Sequence, residues 1–530
     1  MAVIRKSLTF PMAGVARRAG YREQSRPYSA PWAYNVRGTD AAESRQRGGS
    51  RPGMTRVFDA NVANIAAVVP LSVVNGDNKV PLLAILNESG GLSIGNPAAN
   101  SISAIEATLL WDDGETILWD DGSDIVFDSV TDAVTGVERG GKVLLPGSVL
   151  QEYDPQTGVI ETIAADLGEV PSDCPLICVY RDRVFLAGKN HIWYASRQSD
   201  FSDWHLAGDM NDDGRPVAGH LALSGDIGDK ITAMIPMDDA RLIMATEREL
   251  WMLDGDPTTG SLRRFSDATG IVSGSAWAKA PDGTVAFLGL DGVFVLSGTK
   301  LDRWSSEVVP DALKVVDTDT IAVAMGWDNE GRGFHLFLTP VDGTSSGLHW
   351  WLNYGARSMW PVKFILPGHD PVAVGNFSFS GIVSSLAVAG RDGYIRLFDP
   401  GVDDDDGYTI VSQVVIGPFR LPSDDMTDAI LTTIAGSIGG ESDVSVNWLV
   451  VTGNSAEEVA DAAKDAVDTL QAGLLVSAYR SGVWGYGRNR ISRPRSRGPW
   501  AAVCLYSETQ WAFESVVISG ITAGRLRDGN

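Results

Sequence analysis

The feature that most constrains the fold of this 530-residue chain is a hairpin that recurs with both of its strands apolar on both faces. The clearest copy is Val285–Leu288, which reads Val-Ala-Phe-Leu, turns near Asp291-Gly292 and returns as Val-Phe-Val-Leu over Val293–Leu296. A strand with one wet face alternates apolar and polar residues, so unbroken apolar runs on antiparallel strands demand cover on both sides. The same pattern pairs Leu82–Leu86 with Leu92–Ile94, Val184–Ala187 with Ile192–Tyr194, and Leu242–Ala245 with Leu250–Leu253. It returns in Phe334–Leu338 with Leu348–Leu352 and in Leu386–Ala389 with Tyr394–Phe398. From residue 184 the units begin 58, 43, 49 and 52 residues apart, an irregular repeat. A β-propeller supplies the required cover, because each blade is sandwiched between two neighbours, whereas a β-sandwich leaves one face of each sheet polar. The expected fold is all-β, a propeller of about 6–8 blades over residues 58–410. Consecutive β-sandwiches are the alternative.

Two flanking segments differ from this body. Residues 1–57 are rich in Arg, Ser, Gly and Pro, lack a sustained apolar period, and carry a net charge of +8. They read as an arm that folds against something else or stays loose. Residues 411–530 follow the acidic turn Asp403–Asp406 and hold the one convincing helix, Ala456–Gln471. Ser455 and Glu458 form a capping box, Val459, Ala463, Ala466, Val467 and Leu470 form its apolar stripe, and Gly473 ends it. With strand-like runs on both sides, this is expected to be a separate β-rich domain, α+β or sandwich.

The whole chain carries −24, and residues 58–410 alone carry −29. An acidic body argues against wrapping nucleic acid by counterion release. It suits a particle component, or a wall that DNA slides past without sticking. Cys174, Cys178 and Cys504 are too few for a disulfide framework, and Cys-x3-Cys without further partners is a poor zinc signature. The longest mostly apolar run, Val62–Val74, is too short to span a bilayer and contains Asn64 and Pro70, so no membrane insertion is expected. Arg5 and Lys6 precede an apolar stretch as in a signal peptide, but Pro11 and Arg17-Arg18 interrupt it.

Several short motifs lack the context their chemistry needs. Gly136–Lys142 resembles a phosphate loop, but Val143 replaces the metal-holding hydroxyl and a strand follows in place of a helix. Gly91-Leu92-Ser93-Ile94-Gly95 fits a nucleophile elbow, but Asn96-Pro97 stops the helix an elbow requires. No histidine pair has metal-ligand spacing. No catalytic residue or cofactor is expected, and the chain is read as a non-enzyme. Asp209, Asn211 and Asp213, with Gly214 at the sixth position, match the first half of a Ca²⁺ loop, although His220 stands where the bidentate Glu belongs. The loop is read first as a solvated acidic turn, with Ca²⁺ as the alternative. Arg493, Arg495 and Arg497 alternate within a basic stretch that also contains Arg480, Arg488 and Arg490, with Trp484, Tyr486 and Trp500 interleaved. On a strand they would share one face. Pairing with an acidic neighbouring subunit is preferred over single-stranded nucleic acid binding.

Three segments resemble one known family. Arg47-Gly-Gly-Ser-Arg51-Pro-Gly53 is similar to a turn after the N-terminal arm of the tail nozzle proteins of short-tailed bacteriophages, also called tail tubular protein B or stabilisation protein. Tyr180–Gly188, Trp193–Arg197 and Phe201–Trp204 resemble that family's most recognisable stretch, and Ile231–Gly255 and Leu348–Trp360 follow in the expected order. The resemblance covers residues 35–410. It implies a structural virion protein: a homohexameric ring built around a propeller, continuing the DNA channel below the tail adaptor and helping to retain and then eject the genome. The implied partners are further copies of the chain, the adaptor, tail fibres, and double-stranded DNA that passes without specific binding. The implied location is the virion tail, after assembly in the host cytoplasm. The arm, with Arg47 and Arg51 in its closing turn, is expected at subunit contacts. Acidic turns at Asp112-Asp113, Asp120-Asp121, Asp212-Asp213 and Asp403–Asp406 are expected to include residues that line the passage. A host-glycan-binding or glycan-cleaving propeller of the tail is the alternative function.

Overall fold

The computed structural model describes all residues except 1–2, 17–28, 42, 76–77, 109–125, 129–134, 220–226, 307–312, 315, 380–382, 423–426, 442, 472–479 and 526–530. Asp112-Asp113, Asp120-Asp121 and His220 therefore lie outside the described residues.

Among the described residues the chain forms seven successive antiparallel blades. Blade 1 runs Ile65–Asn75, Asn78–Asn87, Leu92–Asn96 and Ser101–Ala104. Blade 2 runs Val137–Arg139, Lys142–Leu145, Gln151–Asp154 and Val159–Thr162. Blade 3 is Leu176–Tyr180, Arg183–Ala187, Tyr194–Ala195 and Val217–Ala218. Blade 4 is Ala233–Asp238, Arg241–Ala245, Leu250–Asp254 and Ser261–Ser266. Blade 5 is Trp277–Lys279, Val285–Gly289, Gly292–Ser297 and Lys300–Arg303. Blade 6 is Ile321–Asp328, Gly333–Pro340, His349–Asn353 and Ser358–Val362. Blade 7 takes Pro371–Phe379, Val383–Gly390 and Ile395–Asp399 in order, but its fourth strand is Gly53–Arg56, from before blade 1.

The apolar pattern explains the ring. Every residue of Val285–Gly289 is buried, and alternate side chains point to opposite faces, so the strand contributes to two inter-blade cores at once. The hydrophobic clusters fall between blades. Val69 and Leu86 meet Val143 and Leu145; Leu144 meets Val184 and Leu186; Phe185 meets Met244 and Leu253. One cluster spans blades 4, 5 and 6, from Ile243 through Phe287 to Phe334. The circle closes where Val68, Leu83 and Ile85 of blade 1 pack on Phe377, Ala387 and Ala389 of blade 7. There Gly375 lies so close to blade 1 that a Cβ would sit 2.6 Å from the Val68 carbonyl oxygen. The fold is an all-β propeller.

Beside it stands a two-sheet sandwich. One sheet is ordered Ala33–Tyr34, Ser412–Arg420, Trp500–Ser507, Val446–Gly453 and Arg480–Trp484. The other is built on Thr427–Gly440 paired with Trp511–Arg525. Trp500–Ser507 is buried throughout: Ala501, Val503 and Leu505 enter the core between the sheets, while Ala502 and Cys504 face a helix. That helix, α1 (Ala456–Gln471), sets Val459, Ala463, Ala466 and Val467 on Leu449, Val451 and Cys504. Ser455 Oγ accepts from the Glu458 N–H at 3.0 Å, and Glu458 accepts from the Asn454 N–H at 2.8 Å. Among the described residues no helix is long and apolar enough to cross a membrane.

Of the two expectations for the arm over residues 1–57, the described residues show the first: it folds against the rest of the chain by strand pairing. Val3–Leu8 pairs with the Trp511–Arg525 strand, Ala33–Tyr34 with Ser412–Arg420, and Gly49–Ser50 with Ala512. Gly53–Arg56 completes blade 7. Leu8, Phe10, Val15 and Val36 belong to the core shared by blades 6 and 7 and the sandwich. Phe10 lies 5.6 Å from Trp360 and 5.8 Å from Phe513, ring to ring. The segment lacks an apolar period because it contributes short pieces to several sheets and no long element of its own.

Candidate functional site

Arg51, expected at a subunit contact, does not face outward. Arg51 is fully buried. It donates from both terminal nitrogens to the two oxygens of Asp405, from Nη1 to Pro52 O, and from Nε to Asn35 Oδ1 at 3.0 Å. Its guanidinium lies 5.2 Å from the Phe364 ring. Arg47 is mostly buried and pairs with Asp40, Glu43 and Glu514. Arg56 and the buried Arg396 both take Asp406, and Arg396 also takes Asp392. Within the acidic turn 403–406, Asp405 and Asp406 thus form a clasp that holds the closing strand and are neutralised inside the chain, which removes these two from the residues expected to line a passage. Asp212 pairs with Arg197 at 2.7 Å.

The Ca²⁺-like loop is organised around guanidinium groups. Asp209 Oδ1 accepts from the Asn211 backbone and side chain, at 2.9 and 3.0 Å. The carbonyls of Asp213, Gly214 and Arg215 accept from the buried Arg183, as does that of Ser196. Carbonyl oxygens that would suit a hard cation are therefore turned onto an arginine. Among the described residues, no group of three or more His, Cys, Asp or Glu side chains could hold a metal ion.

A cavity of about 610 Å³ opens where residues 37–52, blade 6 and blade 7 meet, lined in part by Arg37, Asp328, Glu330, Trp351, Tyr354 and Phe398. At its floor Arg37 Nη1 lies 3.6 Å from Asp328 Oδ2, and His335 Nε2 lies 3.5 Å from the same oxygen. The Arg37 guanidinium sits 4.5 Å from the Trp351 ring, and His335 stacks on Phe398 at 4.5 Å. Burial pushes His335 down to about 4 against the pull of Asp328. Burial opposes ionisation of Asp328, but the His335 hydrogen bond and the Arg37 charge outweigh it and hold the carboxyl down to about 2. Burial and the neighbouring Asp328 raise Glu330. Two further buried histidines sit on carboxylates: His349 is 3.0 Å from Asp370, and His369 is 3.8 Å from Asp392. Sequence spacing missed these pairs because a cross-strand or cross-blade carboxylate leaves no fixed interval.

The arginine stretch is the one predicted site that the structure leaves open. Arg480, Arg488, Arg490, Arg493, Arg495 and Arg497 are all exposed along one border of the sandwich. The border starts on the edge strand Arg480–Trp484 of one sheet and crosses to Thr427–Gly440 of the other through Gly487–Arg488 and Ser496–Arg497. The expectation that three arginines alternate on one strand is corrected: Pro494 precedes Arg495, which has a left-handed φ of 52°, and only Arg497 is in a ladder. Arg497 pairs with Asp428 at 2.7 Å, while Arg493 and Arg495 have no ion-pair partner among the described residues. No Asp or Glu occurs from residue 469 to residue 507. Val483, Tyr486 and Ile491 stand 61%, 63% and 65% exposed among these arginines, an apolar component that charge counting overlooks.

No protein-family model matches this chain, and no curated protein matches it. Among solved structures, the chain is similar to BBS1N crystallised in complex with ARL6DN and soaked with mercury, at 10% identity and a TM-score of 0.38. That match covers 66% of this chain and 98% of the other. The computationally designed Ika8 protein gives 13% identity and a TM-score of 0.36, covering 64% of this chain and 98% of that one.

Proposed function

We propose that this chain is a structural subunit of a bacteriophage tail, assembling into a nozzle ring that continues the DNA channel and helps to retain and then eject the genome. The observation that carries this reading is the open arginine border with its exposed Val483, Tyr486 and Ile491, on a chain of net charge −24. A protein this acidic presents many carboxylate surfaces to such a border on a second copy, and guanidinium–carboxylate pairs are short and directional. The segments that resemble tail nozzle proteins also fall on coherent pieces of the fold. Residues 47–53 lead into the closing strand of blade 7, residues 180–188 form the turn and second strand of the first hairpin of blade 3, and residues 348–360 cover the third strand of blade 6 and the start of its fourth. On this reading the homo-oligomer is a hexamer, its neighbours are the adaptor and tail fibres, DNA passes without specific binding, and no substrate is turned over.

Electron microscopy and mass measurement of the purified chain test the proposal. Rings of about six copies support it. Changing Arg493, Arg495 and Arg497 to Ser should leave folded monomers, since these side chains lie outside every core. A wild-type chain that stays monomeric at all concentrations overturns the ring.

A second reading, a glycan-binding or glycan-cleaving propeller of the tail, draws on the junction cavity. There Asp328 is held low and Glu330 is raised beside Trp351 and Tyr354, a divergence of two carboxyls that suits acid–base roles. Cleavage of any glycan in a panel, lost in Glu330→Gln, would establish this second reading.

A further inference from the structure

The outer face of α1 is acidic. Glu457, Glu458, Asp461, Asp465 and Asp468 are exposed, and none of them forms an ion pair among the described residues. Glu457, Asp461 and Asp465 follow one another at intervals of four, and Asp468 three further on, so the row runs about 16 Å along one side of the helix at 1.5 Å per residue. Like charges at this spacing weaken a helix on its own. The only basic residue on α1, Lys464, is exposed, and its Nζ lies 4.9 Å from the Trp32 ring centroid. The helix therefore carries a charge row that costs local stability and has no ion-pair partner among the described residues.

The same domain carries the opposite surface. The helix lies on the outer face of one sandwich sheet, over Leu449, Val451 and Cys504. The arginine border runs along the sheet edges, from Arg480–Trp484 across to Ser496–Arg497. Among the described residues, no arginine of the border pairs with a carboxylate of α1 in the same copy; Arg497 takes Asp428 instead. Arginine borders meeting each other would repel, as would two acidic helices. A contact between the border of one copy and the helix of the next is heterologous, and such contacts propagate into rings where the rotation closes.

We infer that the acidic outer face of α1 is the surface that receives the arginine border of the next copy. The inference rests on the ring reading above and names the occupant of both surfaces: a second copy of this chain. Val483, Tyr486 and Ile491 supply the apolar part of the contact, and the charge rows set its register and its direction around the ring. Contacts of this kind weaken as salt screens the exposed partners.

The test uses charge reversal in the full chain, read as mass distribution at low and high salt. One variant carries Asp461→Lys and Asp465→Lys; a second carries Arg493→Glu and Arg495→Glu; a third carries all four changes. Circular dichroism and thermal melting confirm that each is folded, and the neutral pair Asp461→Asn with Asp465→Asn serves if the reversed helix does not fold. The expected result is rings for the wild-type chain, monomers for each two-site variant, and rings again for the four-site variant. A helix-reversed or helix-neutralised variant that assembles like wild type overturns the inference and leaves the ring standing, as does a four-site variant no better than its parents. A wild-type chain that never assembles overturns the ring reading itself and this inference with it.

Discussion

The clasp at the ring closure offers the sharpest energetic test. Arg51 is 0% and Asp405 2% exposed in their side chains, and the pair is bidentate. Changing Asp405→Asn preserves shape but leaves a guanidinium buried without its counter-charge. Removing one partner of a buried pair costs about 3–5 kcal/mol, a large share of the roughly 5–15 kcal/mol that separates folded from unfolded domains. The loss should concentrate where the clasp acts, on the pairing of Gly53–Arg56 with Ile395–Asp399. Urea unfolding gives the magnitude, and amide exchange over those two strands gives the place. Asp428→Asn is the control: its partner Arg497 is 67% exposed, so that change should cost less than about 1 kcal/mol. The double change Arg51→Met with Asp405→Leu should recover most of the loss, because two apolar groups leave no charge stranded. An Asp405→Asn variant no weaker than the Asp428→Asn control, or a double variant as unstable as the single, would refute this account of the closure.

Three further outcomes are expected. Phe10→Ala should destabilise the chain by about 3–5 kcal/mol, because its ring fills the space between Trp360, Trp511 and Phe513; a denaturation midpoint close to wild type would show that the N-terminal segment does not brace the core. Stability should fall as pH drops from 6.5 towards 4. His335 stays neutral in the fold down to about 4 while the unfolded chain takes up a proton near 6.5, and burial lowers His349 and His369 in the same direction. The contribution is full above pH 6.5, each such group adds a slope of up to about 1.4 kcal/mol per pH unit below it, and an imidazole NMR signal of His335 titrating near 6.5 would contradict the burial argument. Deleting residues 1–45 should unravel the sandwich, since it removes strand Val3–Leu8 and core residues Leu8, Phe10 and Val36; limited proteolysis that leaves the truncated sandwich as resistant as the intact one would argue otherwise.

Much of the ring was legible along the chain. The recurring apolar hairpins mark the second and third strands of six blades, because those strands are covered on both sides and are largely apolar. Blade 2 escaped notice: its third strand reads Gln-Glu-Tyr-Asp, with only Tyr153 buried, and its outer strand is largely exposed. The helix was equally plain, since its cap and stripe are local. Less could be read of the basic segment at 480–497. Its exposure agrees with the sequence pattern, but the turn at Arg495 depends on Pro494 and on the crossing between sheets.

Sequence alone determined the propeller, the helix and the charge imbalance, because each follows from periodicity or composition within a short window. Only the tertiary structure decided which charges are free. Arg51 and Asp405 are 354 positions apart, and Arg37 and His335 are 298 apart, so no local pattern announces either contact. Nor could residues 1–57 be recognised as part of the fold, since strands of two to six residues carry too little apolar period to be read by themselves. They hold together by completing sheets whose other strands come from the far end of the chain, and a ring that closes on its own beginning draws its last blade from both ends.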